Sequence, residues 1–355
     1  MNKNRICAAY IACWGVYDPV SKTERPWTAE DIDAGKLTDL ILSFAELKED
    51  SVSLNTEDIS ACFPQVDAII KKFPNLRISV AIGGAAEGEA GFRKMVSDEQ
   101  KLNAFVQNVR ELLLENTNLC GIDLDWEYPG KNLVYGTEAW EKDFDGYLKL
   151  LKSLKLMMNA LSCVTGNSYR LTTALPYGKE GLVSQVKRIQ EVCDGINLML
   201  YDYSNAKSSV TGHNTPVLRA CSDVLNFINH GAEPSKLILG LPFYGQRWEN
   251  VENLNENHGL GSPVTVLSDD LGFEYSKIIP LLSDKRYEKY TDGENGPFLY
   301  NPKEKVFISY TGPEEISTLT VFALKNKLGG VMTWEYGQDL TGTLLTFMSR
   351  GISGT

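Results

Sequence analysis

The 355-residue sequence has no cysteine cluster, no strongly basic stretch and no long apolar run. Its seven cysteines are scattered without a CxxC pair, so neither a zinc site nor a disulfide framework is predicted. The formal net charge of −11, with no segment rich in lysine and arginine, excludes the electrostatic footprint of a nucleic-acid-binding protein. A neutral or cationic ligand fits this charge, but the favoured interpretation is a solvated acidic surface that says nothing about a ligand. We expect no metal and no other cofactor.

The amino-terminal residues MNKNRICAAY run directly into a predicted strand, without the apolar core of a secretory leader. No later stretch is long and apolar enough to span a bilayer, so no membrane partner is expected. Two locations stay open: the extracellular or periplasmic space if a leader was removed before residue 1, and the cytoplasm otherwise. We expect a monomer.

Short apolar runs alternate with longer amphipathic stretches, a pattern typical of βα units around a parallel sheet. The predicted strands are Ile6 to Ala12, Asp39 to Leu47, Leu76 to Gly84, Leu119 to Tyr128, Tyr169 to Tyr177, Gly195 to Tyr203, Leu237 to Gly245, and Gly329 to Tyr336. The predicted helices are Thr56 to Phe73, Ser97 to Asn116, Glu138 to Leu161, Leu182 to Cys193, Pro216 to Gly231, Glu315 to Leu328 and Leu340 to Ile352. Eight such units predict an α/β fold, a (β/α)8 TIM barrel.

The seventh connection is anomalous, because about seventy residues separate Tyr244 from Glu315. Such a length is too great for a loop without structure of its own. We therefore predict a barrel formed by residues 1–245 and 313–355. A small α+β subdomain, residues 246–312, would stand between strand 7 and helix 7, beside the carboxyl-terminal mouth of the barrel.

The fourth predicted strand contains the sequence GIDLDWEYPG, in which Asp123, Asp125 and Glu127 stand two residues apart. Because side chains alternate along a strand, all three carboxylates should point into the barrel. Three close negative charges repel one another, so at least one carboxyl should keep a proton near neutral pH, and Glu127 is nearest the mouth. The alternative is that these acids pair with basic groups or hold a metal, but no histidine accompanies them.

The stretch LCGIDLDWEYPG resembles the signature of family 18 glycoside hydrolases, the chitinases and related endo-β-N-acetylglucosaminidases. Asp123, Asp125 and Glu127 match the last three acids of that signature, whereas Cys120 replaces the first. Further stretches resemble other family motifs in the same order along the chain: AIGG, NLMLYDY, LGLPFYG and GGVMTWEY, with YEKYTDGENGPFLYNP and VFISY in the insertion.

This resemblance implies a retaining hydrolase without an enzymic nucleophile, in which the 2-acetamido oxygen of the substrate attacks its own anomeric carbon. Glu127 would protonate the leaving oxygen and later deprotonate water. Asp125 would orient the acetamido N–H, and Asp123 would hold a shared proton in the resting state. Tyr201 would donate its hydroxyl to the acetamido oxygen.

The resemblance also implies which side chains bind the sugar. Trp334 would form the apolar floor for the reacting ring, Asp202 would reach sugar hydroxyls, and Tyr10 would bond to Asp123. The complete predicted substrate-binding set is Trp334, Asp202, Met199, Tyr10, Phe44, Tyr244, Arg247 and Tyr128. Ordinary packing is the alternative for Met199, Tyr10 and Tyr244. The histidines, His213, His230 and His258, are not expected to be catalytic, although His213 could lie at the rim of the cleft.

The sequence departs from the family pattern at several positions. Ala81 replaces a serine, Ala85 stands where chitin-cleaving members often have tryptophan, and Gln246 replaces an arginine. Arg247 is adjacent and could substitute for that arginine. The departures lie at substrate-binding positions and leave Glu127 in place, so a working hydrolase is predicted whose ligand need not be crystalline chitin.

Three functions are therefore open. The first is cleavage of β-1,4 bonds at N-acetylglucosamine in chitin or chito-oligosaccharides. The second is endo-β-N-acetylglucosaminidase action on N-glycans or peptidoglycan, and the third is a non-catalytic chitinase-like lectin. Retention of Glu127 argues against the lectin, and retention of Tyr201 and Asp202 favours chito-oligosaccharides over N-glycans.

Overall fold

The computed structural model describes residues 5–14, 27–48, 50–85, 90–264, 272–293 and 295–354. In chain order its strands are β1 (Ile6–Ala12), β2 (Asp39–Leu47), β3 (Leu54–Asn55), β4 (Arg77–Gly83), β5 (Leu119–Asp125), β6 (Arg170–Pro176), β7 (Gly195–Met199), β8 (Leu237–Pro242), β9 (Tyr244–Trp248), β10 (Phe273–Glu274), β11 (Glu288–Thr291), β12 (Pro297–Asn301), β13 (Val306–Ser309) and β14 (Gly330–Trp334). Its α-helices are α1 (Glu57–Lys72), α2 (Ala90–Val96), α3 (Glu99–Glu115), α4 (Glu138–Thr165), α5 (Glu180–Ser184), α6 (Val186–Gln190), α7 (Val217–Asn229), α8 (Tyr275–Ile278), α9 (Pro313–Lys325) and α10 (Thr343–Ser353).

Eight parallel strands form a closed barrel in the order β1, β14, β8, β7, β6, β5, β4, β2. Parallel pairing of β1 with β2, from Ala8 opposite Asp39 to Ala12 opposite Ser43, closes the ring. Helices follow the strands around the outside, and the predicted TIM barrel is confirmed. The carboxyl ends of the parallel strands consequently meet at one mouth.

The barrel strands are apolar because both of their faces are buried. On β5, the outward side chains of Ile122 and Leu124 lie in the core between sheet and helices, and each is 0% exposed. The inward side chains Ala81 of β4 and Met332 of β14 lie in a separate cluster inside the barrel. Alternate residues of each barrel strand therefore pack outward against the helices or point inward into the barrel, whose interior opens at the mouth.

Helix α3 illustrates how local sequence sets the outer layer. The side chain of Asp98 accepts hydrogen bonds from the backbone N–H groups of Gln100 and Lys101, a cap that contributes about 1 kcal/mol to helix stability. The buried face of the helix packs on the barrel through Leu102, Phe105, Val109, Leu112 and Leu113. None of the described helices is long and apolar enough to cross a bilayer.

One predicted helix differs from the structure. In place of a single helix from Leu182 to Cys193, the chain forms α5 and α6 with a break at Gln185, whose φ of −98° and ψ of 6° are not helical. The apolar residues around this break are buried, so their spacing resembles that of one continuous helix face. The spacing of buried residues in this segment therefore does not determine whether the backbone forms one helix or two.

A second sheet lies between β8 and α9 in the chain. Its antiparallel strands have the order β10, β9, β13, β12, β11, and aromatic residues such as Trp248, Phe298 and Phe307 form a core on it. Strand β9 begins at Tyr244, inside the segment assigned to the barrel, and Tyr244 also packs in the barrel interior. The division of the chain at 245 and 313 stays a prediction.

Candidate active site

The three acids of the fourth barrel strand lie at or directly below the floor of a large cleft at the mouth. Asp123 and Asp125 belong to β5, and Glu127 follows two residues after the strand ends. The cleft has a volume of about 1780 Å³, and Asp125 and Glu127 contribute to its lining. Asp123 lies below them and is 0% exposed. The column predicted by strand alternation is present.

Asp123 is held by a full set of donors. The Tyr10 hydroxyl donates to Oδ2 at 2.6 Å, and Thr172 Oγ1 and Asn197 Nδ2 donate to Oδ1 at 2.5 and 2.9 Å. Burial raises the pKa of Asp123, and these three hydrogen bonds oppose that rise. The sequence reasoning missed Thr172 and Asn197, although Asn197 stands two residues before Met199 and therefore points inward by the same alternation.

Asp125 has the opposite environment. Its Oδ1 atom is buried and accepts no hydrogen bond from any of the described residues, and the residue is 4% exposed. Burial raises the pKa of Asp125 well above its ordinary value, and the charges of Glu127 and Asp123 raise it further. Such a carboxyl either keeps a proton or requires a donor from a ligand.

Glu127 combines burial with contacts of both signs. Burial raises the pKa of Glu127, while the neighbouring Tyr128 hydroxyl and the Lys131 ammonium lower it and the Asp202 charge raises it. The Lys131 Nζ atom donates to the backbone carbonyl of Glu127 at 3.3 Å and lies 5.8 Å from the centroid of the Tyr128 ring. The net upward shift suits a group that must enter a reaction protonated.

Aromatic rings form one wall beside the acids. Trp334 at the end of β14 stacks on Phe44 of β2, with ring centroids 5.4 Å apart and an interplanar angle of 23°. Tyr10 meets Trp334 edge to face at 5.8 Å. Gly84, with φ of +90°, makes room for this arrangement, since a Cβ there would lie 2.8 Å from Phe44 Cε2. Trp334, Phe44 and Tyr10 all line the cleft.

Two further predicted side chains, Met199 and Tyr201, line the cleft from β7 and the residues after it. Each is 9% exposed. The Tyr201 hydroxyl makes no hydrogen bond within the part of the chain that the structure describes. Its ring meets Tyr244 edge to face at 6.1 Å, so it is held by packing while its hydroxyl is available to a ligand.

Asp202 is fixed at every polar group except one. Its Oδ1 accepts from the Tyr244 hydroxyl and from Gln246 Nε2, both at 2.8 Å. Its N–H donates to Asn214 Oδ1 at 2.9 Å, and its carbonyl accepts from the Tyr177 hydroxyl at 3.1 Å. Its φ of +61° lies in the left-handed region, which is uncommon for a residue with a side chain.

Arg247 does not join the site, contrary to the sequence prediction. Because side chains alternate along β9, Gln246 shares the cleft side with Tyr244, and Arg247 points the other way. Arg247 pairs with Glu249 at 2.7 Å and lies 5.8 Å from the centroid of the Phe273 ring. From the sequence, Gln246 stands out only as the residue that replaces an arginine, whereas in the structure its side chain donates a hydrogen bond to Asp202.

The histidines also lie outside the described lining of the cleft. His213, for which the sequence left a place at the rim open, has its Nε2 3.2 Å from Asp292 Oδ2. Ala81 is buried inside the barrel, and Ala85 lines the cleft without an aromatic ring. The two alanines therefore leave the barrel interior without a serine hydroxyl at position 81 and the cleft without an aromatic ring at position 85.

Most of the charged side chains in the rest of the cleft lining are acidic. Beyond the residues already described they are Asp31, Glu46, Asp58, Glu274, Glu335 and Asp339. Among the described residues, Lys179 is the one basic side chain in that lining. Sequence patterns did not bring these acids together, because they come from loops after several different strands. A cleft of this charge disfavours anionic ligands.

Comparisons with known proteins agree with this geometry. The model of the family described as "Glycosyl hydrolases family 18" matches residues 6–339. "Probable chitinase 2" of Drosophila melanogaster is 25% identical over 374 residues, which cover 95% of this chain and 72% of that protein. The crystal structure of chitinase ChiW from Paenibacillus sp. str. FPU-7 superposes with a TM-score of 0.83 at 26% identity and covers 99% of this chain and 33% of that one. A Cycas revoluta chitinase in complex with (GlcNAc)3 shares the fold, with a TM-score of 0.83 at 20% identity over 98% of this chain and 99% of that one.

Proposed function

Because this chain belongs to the family 18 glycosyl hydrolases, whose model matches residues 6–339, we propose that it cleaves β-1,4 bonds at N-acetylglucosamine in chito-oligosaccharides. The chain is a chitinase-like glycoside hydrolase. The finer proposal concerns the mechanism: the acetamido group of the substrate is the nucleophile, the intermediate is an oxazolinium ion, and the β configuration is retained.

The observation that carries this mechanism is the contrast between Asp123 and Asp125. Asp123 is fully buried and accepts three hydrogen bonds, so it cannot reach a sugar carbon as a nucleophile. Asp125 has a buried oxygen that no described residue donates to, and leaving such a group unsatisfied costs about 1–3 kcal/mol. An acetamido N–H bound there would supply the missing donor. It would also hold the acetamido oxygen close to the anomeric carbon of the same sugar.

In the first step Glu127 transfers its proton to the glycosidic oxygen. The bond from that oxygen to the anomeric carbon breaks, and its electron pair goes to the leaving group. The acetamido oxygen forms a new bond to the anomeric carbon from the opposite face, which gives the oxazolinium ion. Asp125 carries a negative charge once the acetamido N–H supplies its missing donor, and this charge stabilises the cation.

In the second step Glu127 acts as a base. Its carboxylate takes a proton from water, the water oxygen bonds to the anomeric carbon, and the acetamido oxygen leaves with its electron pair. Two displacements at the same carbon retain its configuration, and Glu127 ends protonated. The raised pKa of Glu127 suits both roles, because it favours the protonated form that the first step needs and makes the carboxylate a stronger base in the second.

The remaining side chains would bind the reacting sugar. Trp334 offers an apolar face for the ring, and the Tyr201 hydroxyl is available to the acetamido oxygen. Asp202 faces the cleft and can accept from a sugar hydroxyl. Tyr244 and Tyr128 complete the lining around Glu127.

The charge of the cleft supports the choice of substrate. Peptidoglycan strands carry carboxylates, and the acidic lining would repel them. Chito-oligosaccharides are neutral and meet no such repulsion. The related Cycas revoluta chitinase was crystallised with (GlcNAc)3, which supports the same ligand class for this chain.

The test is incubation with fluorogenic N-acetylglucosamine oligomers, intact glycoprotein and peptidoglycan, in parallel with the Glu127→Gln variant. We expect turnover of the oligomers by the wild type and a loss of at least about 100-fold in the variant. Cleavage of glycoprotein or peptidoglycan, without cleavage of the oligomers, would instead support endo-β-N-acetylglucosaminidase action. Binding of oligomers by both forms without turnover would establish a lectin instead.

A further inference from the structure

A single buried glutamine connects the Asp202 carboxylate to the loop that follows it. Gln246 Nε2 donates to Asp202 Oδ1 at 2.8 Å, and its Oε1 accepts from the backbone N–H of Ala206 at 3.2 Å. The Gln246 side chain is 1% exposed, so its amide is shielded from bulk water. We propose that Gln246 is a positioning residue for the proposed hydrolysis, acting through Asp202, which it orients so that Oδ2 meets the bound sugar.

The first argument is that both protein donors use the same oxygen of Asp202. The Tyr244 hydroxyl and Gln246 Nε2 each reach Oδ1, whereas Oδ2 has no donor among the described residues. Two donors on one oxygen fix the rotation of the carboxylate about its bond to Cβ. The other oxygen is thereby directed to the cleft, where Asp202 forms part of the lining. A sugar hydroxyl can donate to an oxygen presented in this way.

The second argument separates the side chain of Asp202 from its backbone. The left-handed backbone, with φ of +61°, is held by Asn214 at the N–H and by Tyr177 at the carbonyl. Neither of these contacts involves the carboxylate. Loss of Gln246 would therefore leave the carboxylate with Tyr244 as its one remaining donor among the described residues, while the backbone of Asp202 keeps its own hydrogen bonds. The effect is expected in catalysis more than in folding.

The third argument concerns the strand that carries Gln246. Strand β9 pairs with β13, where Gln246 lies opposite Ser309, and with β10 through Tyr244 and Gly245. Gln246 and Tyr244 thus project from a strand held on both sides. A donor on such an element is placed more precisely than one on a loop. The inserted sheet in this way contributes directly to the geometry of the site.

The experiment is a double-mutant cycle with Gln246→Met, which keeps the approximate volume and removes the donor, and Asp202→Ala. We expect Gln246→Met to lower kcat/KM on N-acetylglucosamine oligomers about 10-fold, as for loss of a hydrogen bond to a charged group. In the Asp202→Ala background the same change should alter kcat/KM less than about twofold, because the two residues act as a unit. The matched control is Arg247→Gln on the opposite face of β9, which should keep wild-type kcat and KM.

A second variant covers the case in which Gln246→Met does not fold. Gln246→Glu keeps the shape and the acceptor for Ala206, but it can donate to Asp202 only while protonated. Its activity relative to the wild type should therefore rise as the pH is lowered. If Gln246→Met keeps wild-type kinetics, or loses the same factor in both backgrounds, the inference fails while the proposed function stands. If the wild type cleaves no N-acetylglucosamine oligomer, both fail together.

Discussion

The Tyr10 hydroxyl on β1 lies 2.6 Å from Oδ2 of Asp123 on β5, and this hydrogen bond crosses the inside of the barrel. Asn197 Nδ2 donates both to Asp123 and to the Tyr10 hydroxyl, at 2.9 Å in each case. Asp123 is thereby fixed below the reacting carboxyls, where its charge raises the pKa of Asp125. Asp123 and Asp125 carry the same carboxyl group, but Asp123 accepts three hydrogen bonds whereas Oδ1 of Asp125 accepts none from the described residues.

Replacement of Tyr10 by phenylalanine tests this network. The change removes one donor from a buried carboxylate, so the pKa of Asp123 should rise and the sharing of a proton between Asp123 and Asp125 should change. We expect kcat to fall about 10-fold with little change in KM, since Tyr10 acts on Asp123 more than on the sugar. Steady-state kinetics on chito-oligosaccharides measure this. An unchanged kcat would remove the proposed role of Asp123 as proton holder.

The charges near Glu127 predict opposite shifts of the alkaline limb of the kcat/KM profile. The Lys131 ammonium lowers the pKa of Glu127, so Lys131→Met should raise that pKa and keep the acid protonated to higher pH. The Asp202 charge raises the pKa of Glu127, so Asp202→Asn should move the limb to lower pH. The pH dependence of kcat/KM in the free enzyme reports these shifts. Shifts in the same direction would contradict the assignment of the limb to Glu127.

The buried Asp125 carboxyl should lower the free energy of unfolding of the protein. Its pKa in the folded state lies above the unfolded value, so the folded state binds the proton more tightly and stability is lost as the pH rises through the folded pKa. Asp125→Asn removes this ionisation. We expect the variant to be more stable than the wild type by about 1–3 kcal/mol at pH 8 and to show a smaller difference at pH 4. Thermal unfolding at both pH values checks the sign, and a variant less stable at pH 8 would refute it.

Gly84 makes room for the ring of Phe44 beside Trp334. Gly84→Ala would place a Cβ 2.8 Å from Phe44 Cε2 at a φ of +90°, so we expect lower stability and a KM raised several-fold as the aromatic wall shifts. Gly136→Ala is the matched control, because Gly136 has a φ of +80° and no atom within 4 Å of the added Cβ. It should share the loss of stability and keep the KM. Equal KM values in the two variants would show that the packing of Phe44 beside Trp334 does not affect substrate binding.

The sequence was sufficient for the barrel and for the acid column, because both follow from the period of two along buried strands. The same rule applied to β6 and β7 would also have found Thr172 and Asn197. Counted from the inward-facing Tyr244 along β9, it would also have placed Gln246 on the side of Asp202 and Arg247 on the opposite face. The acids of the cleft rim and the Lys131 contact depend on loop conformations, which no periodicity encodes.

The most direct test of the central claim compares kcat/KM for aryl β-glycosides of N-acetyl-, N-fluoroacetyl-, N-difluoroacetyl- and N-trifluoroacetylglucosamine. Fluorine withdraws electrons from the acyl oxygen and weakens it as a nucleophile without removing the sugar contacts. Substrate-assisted catalysis predicts a steep fall in kcat/KM with each added fluorine, by about 10-fold or more per step. A rate that does not depend on the acyl group would show that the acetamido oxygen does not attack, and the account of Asp125 and Glu127 given above would be wrong.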